Sequence, residues 1–341
     1  MRAINLKTNH LTAPLGMDAG PLFLSWQCVD GVCQTAYEIE LTANGETVWH
    51  SGKVQSAAVH ADAPTVGGSR VRGCWRVRLW DENDTPGAWS EAHFETGLAQ
   101  SDWQGEWVDP ETEEIDIPGD DAINAFARPN WERKQAEKEA AGKGATEPYK
   151  PHRPASYLRK TFTAPKGAAR LYITAKGLYA VWLNGVRVGD MVLAPGSFTG
   201  NKHIAAQTYD VTRYLRDSEN ELLVALGDGW HRSTGGVDGD RDLFGDTLGV
   251  LFQLEVDGKA VCVSDGSMQA TQCGPIRQND MQQGEVYDAR FEGSLTGWHG
   301  VRTYRDDLPI TGMNTVPILE HEAFPGKLLQ TPNGETVLDF G

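Results

Sequence analysis

The sequence lacks a basic surplus. Its 341 residues carry 31 lysines and arginines against 47 aspartates and glutamates, a formal net charge of −16. Nucleic acids and anionic membrane surfaces both demand a basic footprint, so neither is expected as a partner. A neutral ligand suits such a surface, and the charge itself favours solubility. No apolar run approaches the length of a membrane span. The N-terminus, Met1-Arg-Ala-Ile-Asn-Leu-Lys-Thr-Asn-His10, has no signal-peptide apolar core, and a cytoplasmic protein is the expectation. Cysteine is sparse. Cys28, Cys33, Cys74, Cys262 and Cys273 stand at neither metal-knuckle nor C-x-x-C spacing, so free thiols in a reducing compartment are expected. The glycine runs Gly227-Asp-Gly229 and Gly235-Gly236 do not make a G-x-G-x-x-G loop, which argues against a dinucleotide site. A succession of long amphipathic helices is also missing.

What is present reads as strand. Residues 1–98 hold about seven short strand patterns, the density of an immunoglobulin or fibronectin-III sandwich. Leu22 to Trp26 is a short apolar run, Thr35 to Thr42 alternates, and Asn44-Gly45 signals a hairpin. Cys74 to Trp80 alternates again, and His93 to Gly97 ends the unit. Trp26, Trp75, Trp80 and Trp89 are expected in its core rather than on a sugar platform. Residues 99–110 are the entry to a second unit, with Trp103 and Trp107 expected to dock it on the first. Residues 111–154 break the pattern. Trp131 to Ala141 is a strong helix former without an apolar face, so an exposed insertion, helical or disordered, is expected.

The second β unit spans residues 99–300. Tyr157 to Phe162 is a strand, and Leu171, Ile173 and Ala175 share a face of the next. Asn184-Gly185 joins two further strands. Tyr179 and Trp182 are both read as core. Asp210 to Leu215 reads as one helical turn capped by Asp210, which explains Asp210-Val-Thr-Arg213 without chemistry. Leu222 to Leu226, apolar on both faces, is expected to be a central strand. Val250 to Val256 and Ala260 to Val263 form a hairpin around Asp257-Gly258.

These segments carry a family resemblance. Trp75-Arg-Val-Arg-Leu-Trp-Asp81, Ala88-Trp-Ser-Glu91 and Phe94-Glu-Thr-Gly97 resemble the fibronectin-III-like first domain of bacterial α-L-rhamnosidases, glycoside hydrolase family 78. Leu178-Tyr-Ala-Val-Trp-Leu-Asn-Gly-Val-Arg-Val-Gly-Asp190, Leu193-Ala-Pro-Gly196, Gln207-Thr-Tyr-Asp-Val-Thr212, Leu226-Gly-Asp-Gly-Trp230, Phe244-Gly-Asp246 and Gly284-Glu-Val-Tyr-Asp-Ala-Arg290 resemble that family's N-terminal jelly-roll domain. The expected fold is therefore all-β: a fibronectin-III-like sandwich, then a jelly-roll (galactose-binding-like) sandwich carrying the insertion. Residues 301–341 are expected to be a linker and the incomplete start of a next β-domain, since Thr336-Val-Leu-Asp-Phe-Gly341 resembles its first strand. In the family an (α/α)₆ barrel holds the chemistry. The resemblance thus implies a non-catalytic region, inactive alone, with no catalytic residue in these 341. It implies partners too: a rhamnose-containing glycoside or oligosaccharide, and the region's own downstream catalytic domain. The parent would release terminal α-L-rhamnose with inversion.

Three readings of the loops stay open. Trp230 follows Gly227-Asp-Gly229, where the chain can turn sharply and expose a ring. Sugar C–H faces pack on indole, and Asp228, Arg232 or Arg241 can bond hydroxyls. The alternative is a Trp buried between sheet and following domain. His231 is expected to be a packing or surface residue, as no second ligand stands at metal spacing. No cofactor is required, but calcium is a possibility. Asp238-Gly-Asp-Arg-Asp242 matches the first, third and fifth positions of an EF-hand and fails at the sixth, Leu243, and twelfth, Gly249. A jelly-roll gathers metal ligands from several loops, so Asp190, Asp242 and Asp246 are the calcium candidates, with solvated loop aspartates the alternative. Related rhamnosidase domains resemble carbohydrate-binding module family 67, where calcium helps hold L-rhamnose, which implies a stand-alone binding module as the second reading. An adhesion sandwich unrelated to sugars is the third. Glu285 and Asp288, in a family motif, are expected to be structural.

Overall fold

The computed structural model describes residues 1–115, 153–235, 241–293 and 295–341, with Glu132, Arg133, Ala136, Glu137 and 139–142 between them. Of the expected insertion helix, the described residues from Glu132 to Ala140 are helical and exposed; Trp131 and the rest lie outside the described residues. Among the described residues, no helix is long and apolar enough to cross a membrane.

The first unit is a sandwich. One sheet joins Arg2–Thr8, Gly20–Val29 and His60–Val66. The other runs Leu15–Met17, Ser90–Thr96, Arg72–Trp80, Ala36–Ala43 and Glu46–His50, with Val54–Gln55 beside Ala36–Ala43. Alternation explains the packing. Leu22, Leu24 and Trp26 point inward from one sheet and Ile39, Leu41, Trp75, Val77 and Leu79 from the other. Asn44 and Gly45 take φ of 51° and 87°, the paired left-handed geometry of a tight hairpin. Three of the four tryptophans expected in the core are buried. Trp89 is half-buried, with the guanidinium of Arg76 4.6 Å from its ring centre.

The second unit is a larger sandwich. Its five-stranded sheet runs Val186–Arg187, Leu178–Leu183, Glu219–Gly227, Ser156–Thr163 and Gln269–Thr271. Glu219–Gly227 is central, as its apolar run requires. The facing sheet runs Arg302–Tyr304, Trp107–Asp109, Gly249–Val256, Ala169–Lys176, Ile204–Asp210 and Ile310–Gly312, with Lys259–Val263 beside Gly249–Val256. Leu171, Ile173, Phe252 and Leu254 meet Leu158, Val181, Val224 and Leu226 across the core. This sheet runs past residue 300: Arg302–Tyr304 and Ile310–Gly312, read from sequence as linker, are two of its strands. The single helical turn appears at Thr212–Tyr214, where Thr212 N donates to Asp210 Oδ1 at 3.0 Å.

Trp103 and Trp107 do not dock one unit on the other. Trp107 is buried with Ile204, Leu251 and Leu308, all from the second unit, and Trp103 packs on that cluster. The units are held instead by crossed ion pairs. Arg70 of the first donates through Nε and Nη2 to both oxygens of Glu255 in the second, at 2.7 and 2.6 Å. Arg170 of the second donates to Glu95 of the first, at 2.9 Å through Nε and Nη2. Gly16 lies where the units touch, at φ 77°, and a Cβ there would run into the Thr208 side chain.

Lys327–Gln330 and Thr336–Asp339 form a separate hairpin. It leaves Leu328, Leu329, Val337, Leu338 and Phe340 exposed.

Candidate carbohydrate and metal sites

The central strand Glu219–Gly227 leads into a one-turn helix, Gly229–Arg232. Gly229 takes φ 53°, and a Cβ there would sit 2.5 Å from the Leu178 side chain, so glycine is required at this turn. The turn carries three of the sugar-binding candidates, pairing Asp228 with Arg232 and setting Trp230 apart. Asp228 is 1% exposed and Arg232 3%. Arg232 Nε donates to Asp228 Oδ1 at 2.8 Å across one helical turn, and its Nη1 donates to Thr112 Oγ1 at 2.6 Å. Arg232 Nη2 lies 2.6 Å from the same Asp228 oxygen, outside hydrogen-bonding geometry. Burial raises the Asp228 carboxyl above the ordinary carboxylate range, against the pull of Arg232 and Arg153.

Arg153 extends the cluster. Its Nε donates to Glu114 Oε1 at 2.6 Å, and its Nη1 to Asp242 Oδ1 at 2.7 Å and the Arg232 carbonyl at 3.0 Å. Burial alone would lower this guanidinium; the Asp242, Asp228 and Glu114 carboxylates outweigh it and raise it. Arg241 is the poorly matched member. It stands 3.7 Å from Glu114, its Nε is buried without a partner, and burial and then Arg153 lower its pKa. Asp228 and Arg232 are thus the buried end of an ion network, partly exposed at Glu114 and Asp242, that ties residues 112–114, 153 and 241–246 to the sheet.

Trp230 is placed differently. Half-buried, it lines a small cleft with Lys176, Pro195, Phe198, Ile204 and Phe244. His231 borders the same cleft but is itself buried. Its Nε2 lies 3.1 Å from the Thr247 carbonyl, and burial, followed by the charge of Lys176, pushes the ring down to about 4. It is a buried neutral packing histidine.

The three calcium candidates are not gathered by the structure. Asp190 is exposed on a cavity of about 500 Å³ between the two units, beside Tyr209 and Met191. Asp242 is held by Arg153, and Asp246 accepts from Thr247 Oγ1 at 3.1 Å. Among the described residues, no group of three His, Cys, Asp or Glu side chains could hold a metal. Residues 238–240 of the EF-hand-like run lie outside the described residues. Asp288 accepts from the Arg290 backbone N at 3.0 Å, capping the turn Ala289–Phe291, and Arg290 holds its carboxyl at about 2.

A further concavity escaped the sequence reading. The outer face of the five-stranded sheet and the segment from Pro275 to Trp298 enclose a groove of about 650 Å³. Trp182 lies in it, not in the core. Strand alternation sends Tyr179 inward, where its hydroxyl donates to Gln207 Oε1 at 2.7 Å, and Trp182 outward. The odd spacing of the two rings was the available signal.

Comparison with known proteins follows the two units. Residues 3–100 match the family described as Rha78A-like, N-terminal immunoglobulin domain. Residues 165–325 match alpha-L-rhamnosidase N-terminal domain. An alpha-L-rhamnosidase of Formosa agariphila is 35% identical over 318 residues, covering 84% of this chain and 31% of that protein. The crystal structure of an alfa-L-rhamnosidase from Aspergillus terreus superposes with a TM-score of 0.78 at 26% identity, covering 99% of this chain and 38% of that one. An alpha-L-rhamnosidase structure from Dictyoglumus thermophilum gives 0.75 at 26%, covering 100% and 38%. The chain thus spans well under half the length of these relatives.

Proposed function

Because this chain belongs to the α-L-rhamnosidase family through both matched domains, we propose that it is the non-catalytic N-terminal region of an enzyme that hydrolyses terminal α-L-rhamnosyl residues of glycosides with inversion. The observation that carries this reading is the hairpin Lys327–Gln330/Thr336–Asp339. Its five exposed large apolar side chains form a surface that calls for a covering partner, which in this reading is the enzyme's own catalytic domain. The clamped sandwiches would present that hairpin on a rigid base. Inverting hydrolysis needs a free acid and a free base about 6.5–9.5 Å apart. The carboxylates of the loop cluster are unsuited, since Arg232 engages Asp228 and Arg153 engages Asp242. An aryl α-L-rhamnoside tests the reading: the 341-residue chain should give no turnover, and turnover by a clean preparation would overturn it.

One observation favours a second reading, a calcium-assisted rhamnose-binding module. Trp230 is half-buried in a cleft of about 20 Å³ bordered by Phe198 and Phe244, and in this reading those rings part to let a sugar stack on it. Calorimetry with L-rhamnose, with and without a chelator, decides it. Heat insensitive to the chelator removes calcium from the reading, and absence of heat removes the reading.

A further inference from the structure

The groove on the outer face of the five-stranded sheet has no assigned role. Its floor is Ala180, Leu223 and Ala225, small or aliphatic side chains that leave space above the strands. Aromatic rings stand around it: Tyr157, Trp182, Tyr287, Phe291 and Trp298. Three of these carry a guanidinium. Arg159 lies 4.0 Å from the Trp298 ring centre, Arg187 5.2 Å from Trp182 and Arg277 4.8 Å from Phe291. Such contacts hold the rings in place before any ligand arrives, which lowers the ordering cost of binding. Trp298 is fixed further by Nε1 donating to the Leu295 carbonyl at 3.1 Å. Arg159 also donates to Gln269 Oε1 at 3.0 Å, and the exposed Glu221 carboxylate has no ion pair or hydrogen bond among the described residues.

We propose that this groove is a binding site for a neutral oligosaccharide, stacked on Trp182 and Trp298 and hydrogen-bonded by Arg159 and Glu221. A pyranose is amphipathic in the same way as the groove, with C–H faces for indole and hydroxyls for a guanidinium and a carboxylate. The volume, about 650 Å³, lies within the roughly 300–1,000 Å³ of small-molecule sites. Among the residues lining the groove itself, Arg159 and Glu221 are the charged ones, one of each sign, which suits an uncharged ligand better than an ionic one. The site is separate from the Trp230 cleft and goes beyond the accessory role.

Titration of the intact 341-residue chain tests it, with tryptophan fluorescence and calorimetry as readouts. The probes are α-1,3-linked rhamnotriose, xylotriose, cellotriose and maltotriose. At least one should bind saturably. Trp182→Ala and Trp298→Ala should each weaken that binding by about tenfold, the loss of one stacked ring. Glu221→Gln, on an exposed position that leaves packing intact, should weaken it severalfold, and Trp89→Ala on the first sandwich should not. Absence of saturation with all four up to roughly 10 mM overturns the proposal. Binding insensitive to Trp182→Ala, Trp298→Ala and Glu221→Gln overturns it as well. So does concentration-dependent dimerisation in ultracentrifugation that Trp298→Ala abolishes, because a second copy would then fill the groove. Binding of another trisaccharide but not rhamnotriose keeps the groove and argues against rhamnose as its ligand, so the two readings fail separately.

Discussion

Two clusters of buried and partly buried charge tie this molecule together, and they are built on different principles. The clamp between the sandwiches uses Arg70, Glu255, Arg170 and Glu95, three on regular strands and the fourth, Arg70, just ahead of one. Each guanidinium meets its carboxylate through two donors. The loop cluster of Arg153, Asp228, Arg232, Asp242, Glu114 and Arg241 sits at the far end of the sheet, and buried donors on Arg232 and Arg241 go unmatched. Bidentate geometry offsets desolvation well; a network with orphan donors does so poorly. The clamp therefore fixes two domains, whereas the loop cluster is the more costly of the two to maintain and the more sensitive to the loss of one member.

The largest expected effect breaks the loop cluster. Arg232→Ala leaves Asp228, 1% exposed, without its guanidinium. Uncompensated buried charge costs about 3–5 kcal/mol, to be read as a drop in the urea midpoint. A loss below about 1 kcal/mol would mean that Arg153 alone can neutralise Asp228.

Next comes acid, which acts on the loop side through His231. His231, on the same turn as Arg232, is depressed to about 4 by burial and by Lys176. In the unfolded chain it titrates near 6.5. The folded state thus binds its proton less readily. The stability it contributes is present above about pH 6.5 and lost as pH falls toward 4, up to about 3 kcal/mol. Comparing wild type with His231→Gln across that window isolates the contribution. Parallel stability profiles for the two would assign the acid response to other groups.

Much of this architecture was legible in the sequence, for a simple reason. Strand alternation and Asn-Gly turns are local signals, so the hairpins at Asn44 and Asn184 and the central strand at Leu222 were readable. What alternation alone does not decide is which face is covered. Trp182 and Leu223 looked like core because apolar residues usually find cover, yet their face of the sheet borders an open groove. Trp103 and Trp107 were read as a docking pair because they lie between the two units in sequence. The contact between domains is instead made by charges 185 residues apart, Arg70 and Glu255. Long-range ion pairs leave no local pattern. Similarly, Asp190, Asp242 and Asp246 share a residue type but not a location, and spacing in sequence gives no measure of that.

A smaller effect probes the clamp. Arg70→Ala strips Glu255, whose side chain is 2% exposed, of its bidentate partner. Gln253 Nε2 still donates to Glu255 at 2.7 Å, and Arg70 itself is partly hydrated, so the cost should be about 2 kcal/mol. The sharper readout is cooperativity. Calorimetry should resolve two transitions where wild type shows one, since the sandwiches lose their coupling. A single transition in the variant would show that Gly16, Thr208 and Arg170 suffice to couple the units.

The smallest effect carries the opposite sign and separates the clusters most cleanly. Among the described residues, Arg241 enters the loop cluster with a buried Nε that has no hydrogen-bond partner and its one ion pair, to Glu114, at 3.7 Å. Its charge already suffers from burial and from Arg153. Replacing a poorly matched buried cation by an apolar side chain of similar length removes that desolvation penalty and keeps the packing of its stem. Arg241→Met should therefore be neutral or stabilising by about 1 kcal/mol, with an unchanged denaturant slope. The same replacement at Arg170 should destabilise, because two donors to Glu95 are lost together and Glu95 stays buried. If Arg241→Met destabilised as much as Arg170→Met, the loop cluster would be as well matched as the clamp, and the distinction between them would fail.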